Sequence, residues 1–199
     1  MDFELELSLI PDGVQVVCGL DEAGRGPLAG PVYAGAVILP AGYVPEGLND
    51  SKKLSEKKRD ALFEEITENA IAWSFGTATP EEIDEINILN ASMLAMRRAV
   101  EALDVQPEFL LVDGNVTRGF SQPALAVIKG DAKSPSIAAA SIIAKVLRDR
   151  ECMEMDRLYP QYGFAGHKGY PTKAHFEAIE KHGVSPIHRK SFLRKRGLA

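Results

Sequence analysis

The chain has 199 residues, 45% of them hydrophobic and 26% charged, and carries a formal net charge of −5. That is the composition of an ordinary globular protein with length for one substantial core, and the acidic balance argues against a general nucleic-acid-coating protein. No apolar run of roughly 18 residues exists, and Met1-Asp2-Phe3-Glu4 lacks the basic and apolar regions of a signal peptide, so a cytoplasmic protein without a membrane segment is expected. Cys18 and Cys152 have no CxxC spacing and read as reduced thiols, at least one of them buried in the first strand.

Taken in chain order, Val14 to Leu20 is a β-branched apolar run that predicts a buried strand delivering Asp21 to a sheet end. About ten residues of Gly and Pro separate it from a second strand, Val32 to Leu39, so the two should pair antiparallel. A basic turn, Asn49-Asp50-Ser51-Lys52-Lys53-Leu54, precedes a helix from Ser55 to Asn69, and Ala70 to Thr77 continues the meander. Met93, Leu94, Met96, Val100 and Leu103 recur at helical spacing over Asn90 to Leu103. The later strands, Phe109 to Asp113 and Ala124 to Lys129, have helices between them in this reading, which implies parallel crossovers. Ser134 caps the next helix with Pro135 at its first position; this helix is apolar on most faces through Leu147, then amphipathic and exposed from Arg148 to Arg157. Thr172 caps a short helix from Lys173 to His182.

Three strands each end in an acid: Asp21 (followed by Glu22), Asp113 and Asp131. Acids at turns are common, but three on one sheet suggest convergence. Two carboxylates about 4 Å apart repel by roughly 4 kcal/mol at an effective dielectric of 20. Shared protons, as in an acid-pair hydrolase, would offset this; so would a divalent cation, and all-oxygen ligation suits Mg²⁺ or Mn²⁺. Because adjacent strand residues face opposite sides, Glu22 joins Asp21 only if the backbone bends there, unless its main-chain carbonyl makes the contact. Gly24-Arg25-Gly26-Pro27-Leu28-Ala29 has the outline of a dinucleotide fingerprint, but Pro31 and the next strand leave no room for its helix. Lys52 and Lys53 belong either to a solvated loop or to a phosphate contact, and Tyr170, in a basic Gly/Pro loop, suits stacking on a sugar or base. His167, His175, His182 and His188 make no metal-ligand pattern and read as surface or substrate-side residues. From Gly166 onward, eight Lys or Arg stand against two acids, either a solvated tail or an attachment surface for a polyanion.

Six ordered segments carry a resemblance: GLDEAGRGP (19–27), NDSKKL (49–54), LVDGN (111–115), KGDAKSPSIAAASIIAKVLRD (129–149), HKGYPT (167–172) and SPIHRKSF (185–192). Together they resemble the type 2 ribonuclease H family in its bacterial single-chain form. The resemblance implies an α/β fold, a ribonuclease H-like mixed five-stranded sheet flanked by helices. It divides the chain into a catalytic domain (1–160) and a small helical, substrate-contacting C-terminal appendage (161–199). It further implies a monomeric, Mg²⁺- or Mn²⁺-dependent endonuclease with a place in ribonucleotide excision repair. Such an enzyme cuts the RNA strand of RNA/DNA hybrids and cuts 5′ of single ribonucleotides in duplex DNA, leaving 5′-phosphate and 3′-hydroxyl ends by two-metal-ion catalysis. On matching positions, Asp21, Glu22, Asp113 and Asp131 become the metal-binding acids. Gly24, Arg25 and Gly26 become the contact to the 2′-hydroxyl, Tyr170 stacks on the next deoxyribose, and Lys52 and Lys53 remain candidate phosphate contacts. The competing classes are a non-catalytic hybrid-binding module and a sugar hydrolase with an acid pair.

Overall fold

The computed structural model describes residues 3–194 and 197–198. Five strands, β1 (Val17–Ala23), β2 (Val32–Ile38), β3 (Ala72–Ala78), β4 (Phe109–Asp113) and β5 (Ala124–Val127), form one sheet in the order β3-β2-β1-β4-β5. The first three make the antiparallel meander, while β4 and β5 add in parallel. Helices are α1 (Phe3–Leu7), α2 (Glu56–Asn69), α3 (Pro80–Glu101), α4 (Pro135–Leu158), α5 (Phe164–His167), α6 (Lys173–His182) and α7 (Lys190–Arg194). Among the described residues no helix is long and apolar enough to cross a membrane.

The apolar strands are buried on both faces, and alternation along β2 separates the layers. Val32, Ala34, Ala36 and Ile38 pack with Met93, Ala95, Met96 and Ala99 of α3, whereas Val37 joins Ala138, Ala139, Ile142 and Ile143 of α4 and Leu62, Phe63 and Ile66 of α2. Helix α4 approaches so closely that an added Cβ at Gly19 would collide with the Ser136 backbone, and one at Gly35 with the Ala140 carbonyl. Ser134 accepts the Ile137 N–H at 3.1 Å, and Pro135 opens the helix as its sequence predicts.

Several boundaries differ from the sequence expectation. Strand β1 continues through Asp21 and Glu22 to Ala23, because β2 still offers it partners there: Asp21 pairs with Gly35, Glu22 with Ala34 and Ala23 with Tyr33. Helix α3 starts ten residues before Asn90, at Pro80, where Thr79 and Glu82 cap each other reciprocally. It kinks at Asn87 (φ 68°), whose Oδ1 accepts the N–H groups of Leu89 and Asn90 and so starts the second segment. The parallel step from β4 to β5 has no helix, only irregular backbone over 114–123. Lys129 does not extend β5; it is left-handed (φ 56°) and opens a 3₁₀ turn, Gly130–Ala132. Nor is the second half of α4 exposed throughout: Arg148, Asp149, Cys152 and Met155 are buried. A third apolar cluster, with Tyr162, Phe164, Ile179 and Leu193, covers Met155, Leu28 and Ala29. Both cysteines are free and buried.

The histidine expectation also needs correction. His182 is exposed and His167 half-buried, but His175 and His188 are buried, packed edge-on or tilted against Phe164 and each other inside this cluster. Burial and the neighbouring imidazoles push both down to about 4, so each is neutral near pH 7. His188 Nδ1 accepts the Ser185 N–H at 3.0 Å, which leaves the proton on Nε2. His188 Nε2 donates to His175 Nε2 at 3.0 Å, and His175 Nδ1 must then donate to the Tyr170 carbonyl, also at 3.0 Å. This one-way chain fastens the loop that carries Tyr170.

Candidate active site

A cleft of about 180 Å³ opens at the sheet margin, lined by Asp21, Glu22, Gly24, Arg25, Gly26, Ser51, Lys52, Ser141, Lys145, Arg148 and Tyr170 among others. It forms where β1 outruns β4: Leu20–Val112 is the last parallel pair, and beyond it β1 has only β2 beside it. Asp21 and Glu22 both border this cleft although the β1–β2 ladder runs unbroken past them. No bend between the two acids is needed, because a site at the end of a sheet meets residues from both faces.

Asp21 is buried and accepts the Glu22 N–H at 2.7 Å. Asp113 closes β4, and its Oδ1 accepts the Gly130 N–H at 2.7 Å, tying it to the turn that carries Asp131. Burial, then the charges of Glu22, Asp113 and Asp131, hold the Asp21 carboxyl well above the usual range. Burial and the charges of Asp113 and Asp50 raise Asp131. Burial also raises Glu22, against its 3.1 Å ion pair with Arg25. Desolvation works against the Lys52 ammonium, but Asp21, Asp131, Asp50 and Asp113 more than offset it and raise its pKa. The four predicted acids and Lys52 therefore share one field. Even so, among the described residues no three His, Cys, Asp or Glu side chains stand as a ready metal-ligand cluster, and oxygens of Asp21, Asp113 and Glu22 are held by internal donors.

Lys53 is not brought to the cleft; it is mostly exposed and lies 3.8 Å from Asp50. Gly24 takes φ 97°, and Arg148 fills the space a side chain there would need. The ring of Tyr170 is 43% exposed, with the Arg148 guanidinium carbon 5.7 Å from its centre. Arg148 was not singled out from the sequence. It is buried, Nη2 donates to the Lys168 carbonyl at 2.9 Å, and Nε and Nη1 have no acceptor among the described residues. With Lys145 one turn earlier, it interrupts an apolar helix with basic residues beside the cleft, and that pattern was the available signal.

The basic C-terminal surface is smaller than its sequence suggests. Arg189 is wholly buried; Nε donates to the Gly30 carbonyl at 2.9 Å, Nη1 to Arg25 at 3.1 Å and Nη2 to Gly24 at 2.7 Å. Lys195 and Arg196 lie outside the described residues. Another unforeseen residue is Glu6 of α1, buried at the start of α4, where it accepts from Ser134 Oγ at 2.5 Å, Ser136 N at 2.9 Å and Ser136 Oγ at 2.7 Å.

A family model described as Ribonuclease HII matches residues 18–195. A ribonuclease HII of Vibrio campbellii is 61% identical over 182 residues, spanning 92% of this chain and 86% of the relative. One from Shewanella amazonensis is 64% identical over 176 residues, spanning 88% and 85%. The crystal structure of ribonuclease H2 from Pyrococcus horikoshii superposes with a TM-score of 0.76 at 30% identity, over 92% of this chain and 97% of that one. The ribonuclease HII solved in complex with PCNA from Archaeoglobus fulgidus gives 0.70 at 26% identity, over 88% and 94%. The chain belongs to the ribonuclease HII family and is an endoribonuclease of the ribonuclease H class, acting on RNA/DNA hybrids.

Proposed function

We propose that this enzyme hydrolyses the RNA strand of hybrids and also cuts on the 5′ side of a single ribonucleotide embedded in duplex DNA, leaving 5′-phosphate and 3′-hydroxyl ends. The observation that carries the reading is a crowd of four carboxylates, Asp21, Glu22, Asp113 and Asp131, in which burial and like charge raise Asp21, Glu22 and Asp131, beside a cleft with a buried, partly unpaired guanidinium. Two like charges gathered at a sheet end cost energy unless a cation joins them, and an all-carboxylate donor set suits Mg²⁺ or Mn²⁺. We assign the four acids as the residues that hold the metal. A bound pair of such ions supplies a more acidic water and a stabilised leaving oxygen for in-line displacement at phosphorus.

The rest of the work belongs to the chain. Arg148 Nε and Nη1 are free to donate to a backbone phosphate, with Lys145 and Lys52 adding positive charge beside the acids. The backbone of Gly24, Arg25 and Gly26 can reach a 2′-hydroxyl, the group that distinguishes RNA from DNA. The exposed Tyr170 ring stacks on the next deoxyribose. Residues 161–199 form the substrate-contacting appendage to a catalytic domain of residues 1–160, and the enzyme works as a cytoplasmic monomer. A labelled duplex with one ribonucleotide, incubated with and without Mg²⁺, tests the reading. Cleavage 5′ of the ribonucleotide only with the metal is expected; equal cleavage in chelator, or binding without cleavage, would overturn it.

A further inference from the structure

Three backbone carbonyls, those of Gly24, Arg25 and Gly30, converge on the Arg189 guanidinium. A fully buried cation with no carboxylate at ion-pair distance among the described residues is an expensive way to hold a loop, so its geometry calls for a reason. Burial and the nearby Arg148 charge pull Arg189 down to about 9, which still leaves it cationic near pH 7. Its hydrogen bonds are therefore charge-assisted.

A trans peptide carries its C=O and the following N–H on opposite sides, and no described peptide bond is cis. Once Arg189 holds the Gly24 and Arg25 carbonyls on the protein side, the N–H groups of Arg25 and Gly26 face away from it. Gly24, Arg25 and Gly26 all line the cleft. Neither N–H has an acceptor among the described residues. A free loop could flip either peptide, turning a carbonyl toward the substrate and adding negative potential beside Asp21 and Glu22.

We propose that Arg189 is a positioning residue for sugar discrimination: it fixes two adjacent peptide planes so that the Arg25 and Gly26 N–H groups are presented together to a ribose 2′-hydroxyl oxygen. Lysine cannot do the same, because a single ammonium lacks the planar fork that spans three carbonyls. The inference rests on the reading that the Gly24–Gly26 loop contacts the 2′-hydroxyl, and its test separates the two.

Affinities of wild type, Arg189→Lys and Arg189→Gln are measured with Ca²⁺ in place of Mg²⁺, on a duplex with one ribonucleotide and on the same duplex entirely of DNA. Wild type should prefer the ribonucleotide duplex. Two misdirected hydrogen bonds at about 1 kcal/mol each predict that the variants lose about tenfold or more of that preference, while all-DNA affinity stays within about twofold. Variants that keep the preference, or weaken on both duplexes alike, overturn the proposal and leave the loop assignment standing. A wild type with no preference overturns the loop assignment and this proposal with it. Should both variants fail to fold, wild-type amide spectra decide: the Arg25 and Gly26 signals should shift with the ribonucleotide duplex and not with all-DNA, and unmoved signals overturn the proposal.

Discussion

Replacing Asp21 with Asn keeps the side chain's shape and removes its charge, and the two consequences have opposite signs. An asparagine Oδ1 can still accept the Glu22 N–H that Asp21 accepts at 2.7 Å. What disappears is the desolvation of a buried carboxylate and, after it, repulsion from Glu22, Asp113 and Asp131. Unit charges about 6 Å apart at an effective dielectric near 20 repel by about 3 kcal/mol. Lys52 offsets part of this, so a net gain of about 1–3 kcal/mol is expected, or about 2–10 °C in the metal-free Tm of a domain this size. The proton affinity of Asp21 is raised in the folded state, so its unfavourable charge is absent below the unfolded pKa and grows as pH rises through the folded one. The stabilisation in Asp21→Asn should therefore be present at neutral pH and vanish in acid. Cleavage should be lost at saturating Mg²⁺, and Mg²⁺ should raise the variant's Tm less than that of wild type. Melting in EDTA at neutral and acidic pH, beside a cleavage assay, checks each part. Near-wild-type cleavage, or a variant that melts several degrees lower in EDTA at neutral pH, would refute the reasoning.

Tyr170→Ala should reduce cutting at a single ribonucleotide by about tenfold to a hundredfold, from a stacking contact of about 1–3 kcal/mol, and reduce it less on a long hybrid; equal losses would make Tyr170 structural. His175 and His188 have folded pKa values lowered from 6.5 to about 4. Their contribution, on the order of a few kcal/mol, should be complete above pH 6.5 and lost as pH falls through 4; imidazole NMR titrations with midpoints near 6.5 would contradict it. Glu6→Ala strips a carboxylate from three donors at 2.5–2.9 Å, each such bond worth about 1.5–3 kcal/mol. Allowing for water taking up some donors, a Tm loss of about 6–12 °C is expected. Apparent Mg²⁺ affinity should fall too, because Ser134 N–H binds the Gly130 carbonyl of the Asp131 turn at 2.8 Å. An unchanged melt would show that Glu6 carries no load.

Local chemistry made much of the fold readable. The apolar runs of β1 and β2, the Ser134-Pro135 helix start and Asp113 at the end of β4 each announce themselves within a few residues, whereas Asp21 lies inside β1 and Asp131 in the turn beyond β5. Thr79-Pro80-Glu81-Glu82 was equally readable as a capping box; periodicity alone placed the start of α3 too late because Asn87 interrupts it. What stayed hidden was the burial of charge. Arg148, Arg189, Glu6, His175 and His188 look like surface residues in any short window, and only tertiary partners make their burial affordable: Gly24 and Gly30 for Arg189, Ser134 and Ser136 for Glu6. The extension of β1 past Asp21 was hidden for the same reason, since its length is set by β2.

The contact between Arg189 and the Gly24–Gly30 loop spans 159 to 165 positions of sequence. At roughly 5–20 residues synthesised per second, the loop leaves the ribosome about 8–30 s before its partner is made. Strand β1 and its two acids can be folded by then, but the peptide planes beside them have nothing to hold them. The nascent chain thus carries Asp21 and Glu22 long before the side chain that fixes the Gly24 and Arg25 carbonyls, so the geometry of this loop is settled among the late events of synthesis.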